Sequence, residues 1–311
     1  MADSTQPSPP FQNWKLTLAY DGTDFRGWQV QPGEPTVQGE LKAALGRVVG
    51  EAPLPQGSGR TDAGVHALGQ VASFQLVGRI PAENLIRALN RTLPDSIRVH
   101  DARVVPEGFH ARHSAVAKTY EYRVFLERPG PAGLWSEQAK RGEETPEHPA
   151  ICSPFLARYV YACAWPLDFE VVRAAAGQFL GEHDFTSFAA TEPDLATRNR
   201  DSESEGEEDS PRTAIRTIFE SSWEHREVQG AGLLVYRVRG NGFVHHMVRN
   251  LVGTMIDMGR GYRRLDAIPG ILAARSRAEA GPTAPARGLF LHSVEYGGPD
   301  SQGADVEHGA E

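Results

Sequence analysis

Cysteine is almost absent from this chain, with only two residues, Cys152 and Cys163, among 311. Their spacing matches neither a CxxC pair nor a zinc knuckle, which excludes the common cysteine-based metal sites. An even number of cysteines allows a disulfide, but the sequence favours reduced, buried thiols in a reducing compartment. No apolar run approaches the roughly 20 residues that span a bilayer, and residues 1–10 lack the basic and apolar regions of a signal peptide. These absences predict a cytoplasmic protein.

A basic net charge is also lacking, because the formal net charge is -8. The excess acid is concentrated in two stretches, with six acids and no base at 201–209 and four acids at 300–311. Without these ten, 30 of the 40 acids remain against 32 bases. Runs of like charge repel each other and bury no apolar surface, so both stretches are predicted to be disordered. The remainder is basic enough to permit a nucleic-acid partner.

Apolar periodicity predicts an α+β fold built from α/β lobes, in which helices pack on a mainly antiparallel sheet. The first half predicts strands at 15–20, 69–77 and 119–126, and helices from Thr36 to before Gly50 and at 81–91. The second half predicts helices at 168–179 and 243–258 and strands at 214–224 and 233–239. The predicted organisation is a disordered N-terminus at 1–14, an N-terminal lobe at 15–115, a C-terminal lobe at 116–297 with surface insertions at 127–150 and 190–211, and a disordered acidic tail at 298–311.

A glycine-rich segment at 57–67 reads GSGRTDAGVHA and holds Arg60 and Asp62 two residues apart. Three glycines in eight residues imply a tight turn or the close approach of another molecule. The segment is not a dinucleotide loop, because Asp62 stands where the last glycine would be required, and it lacks the GK[ST] of a Walker loop. Two interpretations stay open: a functional carboxylate beside a phosphate-binding or charge-pairing arginine, or a structural turn in which Asp62 caps a helix or closes an Asx-turn.

From Phe243 onward, the sequence FVHHMVRN and its continuation carry apolar residues on nearly every face, which predicts a buried helix. Arg249 lies on an apolar stripe of this helix, so its guanidinium is expected to point into the interior or a cleft. A desolvated arginine normally requires a carboxylate partner, and Asp62 is the hypothesised one, held ionised and oriented by the contact. The alternatives are a purely structural ion pair or an arginine that reaches solvent.

The segment KTYEYR at 118–123 is predicted to be a strand, with Tyr120 and Tyr122 on one face. An exposed aromatic side chain there could stack on an unstacked base, an interaction worth about 1–3 kcal/mol. Two core tyrosines with satisfied hydroxyls are at least as common an arrangement. Basic residues nearby favour an edge that faces phosphate groups, namely Arg103, Arg112, His113 and Lys118.

Together these segments resemble the TruA family of tRNA pseudouridine synthases over roughly residues 15–296. The opening YDGTxFxGWQ at 20–29 and TVQ at 36–38 are similar to the family's first motif, and GRTDAGVHA at 59–67 is similar to its catalytic loop. The other motifs follow in the family's order: KTYxY at 118–122, SPF at 153–155, HDFTSF at 183–188, FVHHMVRN at 243–250 and TAPAxGL at 283–289. The chain departs from the family's pattern in the two insertions, of which the second carries the acidic run.

The resemblance implies a pseudouridine-synthase fold of two lobes around a central cleft, acting on tRNA and usually as a homodimer. It implies conversion of uridine to pseudouridine at positions 38 to 40, in the anticodon stem-loop. Asp62 matches the family's catalytic aspartate, and Arg249 matches the arginine that pairs with it. Tyr120 matches the base-contacting tyrosine, and Arg60 matches the loop arginine that helps to hold the flipped nucleotide. No cofactor or metal is expected, since the isomerisation involves no redox step or activated group. No membrane partner is expected either, because the chain has no long apolar run.

The sequence leaves the part played by the Asp62 carboxylate open: attack on C1′, attack on C6, or removal of the C2′ proton. The alternative function is an RNA-binding protein that uses the same cleft without catalysis. Such a binder does not need a carboxylate facing a polyanion, because the negative charge weakens phosphate attraction. A metal-dependent nuclease or hydrolase is a third interpretation, which would require an activity that EDTA suppresses.

Overall fold

The computed structural model describes residues 11–50, 53–127, 150–190, 214–228 and 231–298. Its strands are β1 (Phe11–Tyr20), β2 (Gln56–Gly57), β3 (His66–Val77), β4 (Ile97–Val105), β5 (Ala115–Leu126), β6 (Tyr161–Cys163), β7 (Gly181–Asp184), β8 (Ile215–Val228), β9 (Ala231–Gly240) and β10 (Leu289–Tyr296). Its α-helices are α1 (Val37–Val49), α2 (Ala82–Thr92), α3 (Pro154–Ala157), α4 (Phe169–Gly177), α5 (Met247–Gly259) and α6 (Ile268–Ala274). The predicted α+β class is confirmed.

The chain forms two compact units, Met1–Val116 with Ser293–Glu311, and Ala117–His292. The sequence pattern predicts lobes at 15–115 and 116–297, so the structure differs in giving residues from 293 onward to the first unit. Strand β10 is the reason, because its first half belongs to the second unit and its second half to the first. The predicted insertions and the acidic tail lie outside the described residues, apart from their end positions.

In the first unit the strands follow the order β4-β1-β3-β10, with β2 beside β3. Strand β1 pairs antiparallel with both β3 and β4. Its alternate side chains Trp14, Leu16 and Leu18 are buried, as expected for residues that share one face of a strand. Helix α1 begins after Thr36, whose hydroxyl accepts a hydrogen bond from the N–H of Gly39, and ends at Val49, before Gly50, as the sequence predicts.

Strand β1 begins four residues earlier than predicted, so residues 11–14 are not the disordered end that the sequence suggests. The side-chain amide of Asn13 donates to the carbonyl oxygens of Pro106 at 3.0 Å and Phe109 at 2.9 Å, and Trp14 is buried beside it. Asn13 conceals this strand in the sequence, because its polar side chain is satisfied by hydrogen bonds to residues that are distant in sequence.

In the second unit the strands follow the order β10-β5-β9-β8-β7. Strand β6 pairs parallel with β5, whereas the pairs β5–β9, β9–β8 and β8–β7 are antiparallel. Helix α5 packs on the aromatic face of this sheet, where the indole N–H of Trp223 donates to the sulfur of Met255 at 3.2 Å. Among the helices of the described ranges, none has the length and apolar character needed to cross a membrane.

Helix α5 begins at Met247 instead of the predicted 243. His246, immediately before it, has a φ of 63°, in the left-handed region that a right-handed helix cannot include. Apolar periodicity does not reveal this break, because Phe243 and Val244 continue the apolar pattern. The helix itself is buried, as predicted.

The two cysteines carry free thiols, as expected. Only Cys163 is buried, whereas Cys152 is partly exposed, so the expectation of two buried thiols is wrong for Cys152. Desolvation raises the pKa of both thiols above the ordinary value, which keeps them protonated and weakly nucleophilic at neutral pH.

Candidate active site

Residues 58–65, here named the aspartate loop, connect β2 to β3 in the first unit. Arg60 is exposed, Thr61 is buried and Asp62 is partly buried. The N–H of Val65 donates to the carbonyl of Asp62 at 3.1 Å and closes a turn. A strand follows this turn, so Asp62 does not cap a helix. The loop therefore carries an arginine and a carboxylate on either side of an anchored threonine.

Residues 20–28, here named the clasp segment, hold the aspartate loop through backbone hydrogen bonds. The N–H of Trp28 donates to the carbonyl of Thr61 at 3.0 Å, directly before the aspartate. The N–H of Gly64 donates to the carbonyl of Phe25 at 3.3 Å, shortly after it. The backbone is thus fixed on both sides of Asp62, which favours a single orientation of its carboxylate.

Two glycines allow this close approach of the clasp segment. A Cβ at Gly22 would lie 1.9 Å from the carbonyl oxygen of Val65. A Cβ at Gly27 would lie 2.5 Å from the carbonyl oxygen of Thr61, and Gly27 also has a φ of 97°. No larger residue fits at either place unless the clasp segment or the aspartate loop moves.

A network of buried hydrogen bonds holds the aspartate loop on its interior side. The side-chain amide of Gln70 donates to the carbonyl of Gly59 at 2.9 Å and to the Tyr20 oxygen at 3.3 Å. The Ser58 hydroxyl donates to the Gln70 Oε1 at 2.7 Å, and the hydroxyls of Tyr20 and Thr61 lie 2.8 Å apart. Burial raises the pKa of Tyr20 to about 12, so the phenol stays protonated at neutral pH. The sequence pattern does not single out Gln70, because this residue occupies only one position of a predicted strand.

The two tyrosines of β5 have different surroundings. Tyr122 is fully buried and its hydroxyl donates to the carbonyl of Pro285 at 2.8 Å, which is the core arrangement. Tyr120 is only partly buried, and its ring meets that of Phe243 edge to face with centroids 5.0 Å apart. Of the two, Tyr120 is therefore the one whose side chain is partly accessible to solvent.

Arg249 is the one residue of helix α5 that is not buried. Its Nε donates to the carbonyl of Ala284 at 2.7 Å, and the N–H of Ala284 donates back to the Arg249 carbonyl at 3.1 Å. Two bonds to one residue hold the stem of the arginine side chain against the segment TAPA at 283–286. The direction of the guanidinium is consequently set by the fold of the second unit.

Asn250 joins three of the segments that stand out in the sequence. Its side-chain amide donates to the carbonyl of Phe188 at 2.7 Å. Its Oδ1 accepts from the Thr283 hydroxyl at 2.7 Å and from the Arg277 guanidinium at 3.0 Å. Asn250 is fully buried, so its part is to bind HDFTSF and TAPA to the helix that carries Arg249.

The predicted site residues are divided between the two units, with Arg60 and Asp62 in the first and Tyr120 and Arg249 in the second. The structure brings Arg60 and Asp62 together on one loop. The predicted pairing of Asp62 with Arg249 stays a prediction.

Comparison with known proteins gives consistent matches along most of the chain. Residues 17–114 and 175–297 match the model of a family described as tRNA pseudouridine synthase. These ranges include Arg60, Asp62 and Arg249, whereas Tyr120 lies between them.

Several curated relatives carry the name tRNA pseudouridine synthase A. The relative from Solibacter usitatus is 45% identical over 283 residues, which cover 91% of this chain and 98% of the relative. The relative from Moorella thermoacetica is 43% identical over 287 residues, covering 91% and 98%. The relative from Latilactobacillus sakei is 37% identical over 286 residues, covering 92% and 99%.

Proposed function

Because the chain belongs to the tRNA pseudouridine synthase family, a family of isomerases, we propose that it converts uridine to pseudouridine at positions 38 to 40 of tRNA, with Asp62 as the catalytic carboxylate. The observation that supports this part for Asp62 is the geometry of the aspartate loop. A partly buried carboxylate stands on a backbone that is hydrogen-bonded on both sides. Rigid support of this kind is what a group acting on a sugar carbon requires.

The reaction breaks the bond between C1′ and N1 of uridine and forms a bond between C1′ and C5. The hydrogen of C5 is lost and N1 gains a proton, so the product is an isomer and nothing is oxidised or reduced. Asp62 acts at the sugar or the base by attack on C1′, attack on C6, or removal of the C2′ proton. Each of these requires an ionised carboxylate within bonding distance of the nucleotide.

The target base must leave the stack to reach the carboxylate, at a cost of a few kcal/mol. We assign Arg60 to the displaced nucleotide, because its side chain is exposed on the same loop as Asp62. We assign Tyr120 to the extruded base, because its ring is only partly buried. Arg249 is proposed to pair with Asp62 and to keep it ionised, which is supported by its being the one residue of α5 that is not buried.

A tRNA substrate and the family resemblance also support a cytoplasmic homodimer. The oligomeric state is tested by analytical ultracentrifugation of the full chain, for which a monomer at micromolar concentration contradicts the proposal.

The experiment that tests the function incubates the purified protein with an unmodified tRNA transcript and maps the pseudouridines formed. We expect pseudouridine at one or more of positions 38 to 40. Asp62→Asn and Asp62→Ala should abolish isomerisation while the fold and most tRNA affinity persist. Asp266→Asn is the matched control, because it removes an exposed carboxylate that pairs with exposed Arg264 in the second unit. Wild-type turnover in Asp62→Asn would remove Asp62 from the mechanism, and products confined to other positions would contradict the assigned substrate site.

A further inference from the structure

We propose that Tyr20 and Gln70 are positioning residues that hold Asp62 in place through a chain of buried hydrogen bonds. This inference rests on the proposed catalytic role of Asp62 and extends it to side chains behind the loop. The chain runs from Ser58 to Gln70, then to Tyr20, and then to Thr61, which immediately precedes the aspartate.

Two backbone groups fix the orientation of the Gln70 amide in this chain of hydrogen bonds. The Oε1 of Gln70 faces the N–H of Val71 at 3.1 Å, which can only donate. The Nε2 faces the carbonyl of Gly59 at 2.9 Å, which can only accept. The amide orientation is therefore set, and the Tyr20 oxygen accepts the other proton of Nε2. The hydroxyls of Tyr20 and Thr61 then share one buried hydrogen bond of 2.8 Å, in which either oxygen can donate.

These bonds fix the backbone on the N-terminal side of Asp62. They reach three of the four loop residues before it, Ser58, Gly59 and Thr61, and they bypass exposed Arg60. Without the Tyr20 hydroxyl, the Thr61 side chain loses its hydrogen bond to the network. Thr61 is then held through its carbonyl, which accepts from the N–H of Trp28. The carboxylate next to it could then shift, and a displacement of about 1 Å can lower turnover about 10²-fold.

A positioning role and a proton-transfer role for Tyr20 predict different pH dependences. Burial raises the pKa of Tyr20 to about 12, so its hydroxyl keeps its proton throughout the range in which tRNA is assayed. The residue is 4% exposed, which places the hydroxyl in the interior. Loss of this hydroxyl should therefore lower kcat by the same factor at every pH and leave the shape of the pH–rate profile unchanged.

The test compares Tyr20→Phe with Tyr236→Phe in the full chain acting on an unmodified tRNA transcript. Tyr236 is the matched control, because it is a buried tyrosine whose hydroxyl lies 2.8 Å from that of Ser221, in the second unit. We expect Tyr20→Phe to lower kcat about 10- to 100-fold, with KM changed less than about twofold. Tyr236→Phe should lose similar stability and keep wild-type kcat.

Thr61 supplies a second arm that stays informative if Tyr20→Phe folds poorly. Thr61→Val removes the hydroxyl at nearly constant volume, and Thr61→Ser keeps it. We expect Thr61→Val to match the kcat of Tyr20→Phe and Thr61→Ser to recover most of the wild-type rate. The double variant of Tyr20→Phe with Thr61→Val should be little slower than either single variant, because both remove one shared interaction.

Wild-type kcat in Tyr20→Phe and Thr61→Val overturns the inference, as does a double variant whose losses multiply or a pH profile that changes shape. An inactive Asp62→Asn beside a fully active Tyr20→Phe overturns the positioning role alone. A fully active Asp62→Asn overturns the proposed role of Asp62, and the positioning role falls with it.

Discussion

Substitution of Gly22 by alanine tests whether the clasp segment sets the geometry of the aspartate loop. The added Cβ would lie 1.9 Å from the carbonyl oxygen of Val65, whereas carbon and oxygen normally approach no closer than about 3.3 Å. One backbone must therefore move by more than about 1 Å, an overpacking that typically costs about 1–3 kcal/mol of stability. Val65 closes the turn at Asp62 through its N–H, so the movement reaches the carboxylate. We expect kcat to fall about 10²-fold.

Gly46→Ala is the matched control for this substitution. Gly46 lies within helix α1, and apart from its chain neighbours and the backbone of its own helix, no atom of the described residues lies within 4 Å of the position that a Cβ would take there. Alanine at this helical position should raise the free energy of unfolding by about 0.5–1 kcal/mol. Urea unfolding and turnover on a tRNA transcript are measured for both variants. A Gly22→Ala protein with unchanged stability and wild-type turnover would refute the claim that the clasp segment orients Asp62.

Three further predictions concern the second unit. Burial alone would raise the pKa of Glu121, but Arg123 and Arg226, each 2.7 Å from its carboxylate, lower this pKa below the usual value. The ionised carboxylate therefore stabilises the fold fully above its unfolded-state pKa of about 4.3, and this stabilisation is lost as the pH falls through the lower folded-state pKa. Glu121→Gln should therefore lose about 3 kcal/mol at pH 7 and show a smaller further loss on acidification, measured by urea unfolding from pH 7 to 3. Tyr120→Ala should lower kcat/KM about 5- to 150-fold with little change in thermal midpoint, whereas a large loss of stability would show a core role. Arg249→Lys should lower kcat about tenfold or more, since a charged hydrogen bond contributes about 1.5–3 kcal/mol, and an unchanged rate would contradict its pairing with Asp62.

Sequence periodicity predicts those elements that bury an apolar face of regular spacing. Helix α1 is the clearest case, because Val37, Leu41 and Leu45 recur at helical spacing and all are buried. The sequence also predicts both ends of this helix, since Thr36 is its N-cap and Gly50, which follows it, has a positive φ. The aspartate loop is also predictable as a turn, because local glycine content alone signals it.

Elements held by contacts distant in sequence are predicted less well. Residues 11–14 extend β1 because the amide of Asn13 bonds to carbonyls more than ninety residues away. The late start of α5 depends on the left-handed backbone of His246, a conformation that non-glycine residues adopt only where surrounding structure enforces it. Backbone strain of this kind leaves no periodic signal in the sequence. It occurs three residues before Arg249, whose proposed pairing with Asp62 requires a defined orientation of its side chain.

The same physical reasoning gives the first motif a structural meaning. Gly22 and Gly27 permit backbone contact with the aspartate loop, the N–H of Trp28 bonds to Thr61, and the hydroxyl of Tyr20 bonds to the same residue. These four positions thus contact the backbone or side chains on either side of Asp62. Substitutions at residues 20–28 should consequently act on kcat through the aspartate even where they leave tRNA affinity unchanged. Residues 20–28 and the aspartate loop therefore form one structural unit. Two segments about forty residues apart in sequence thus determine the position of one carboxylate, that of Asp62.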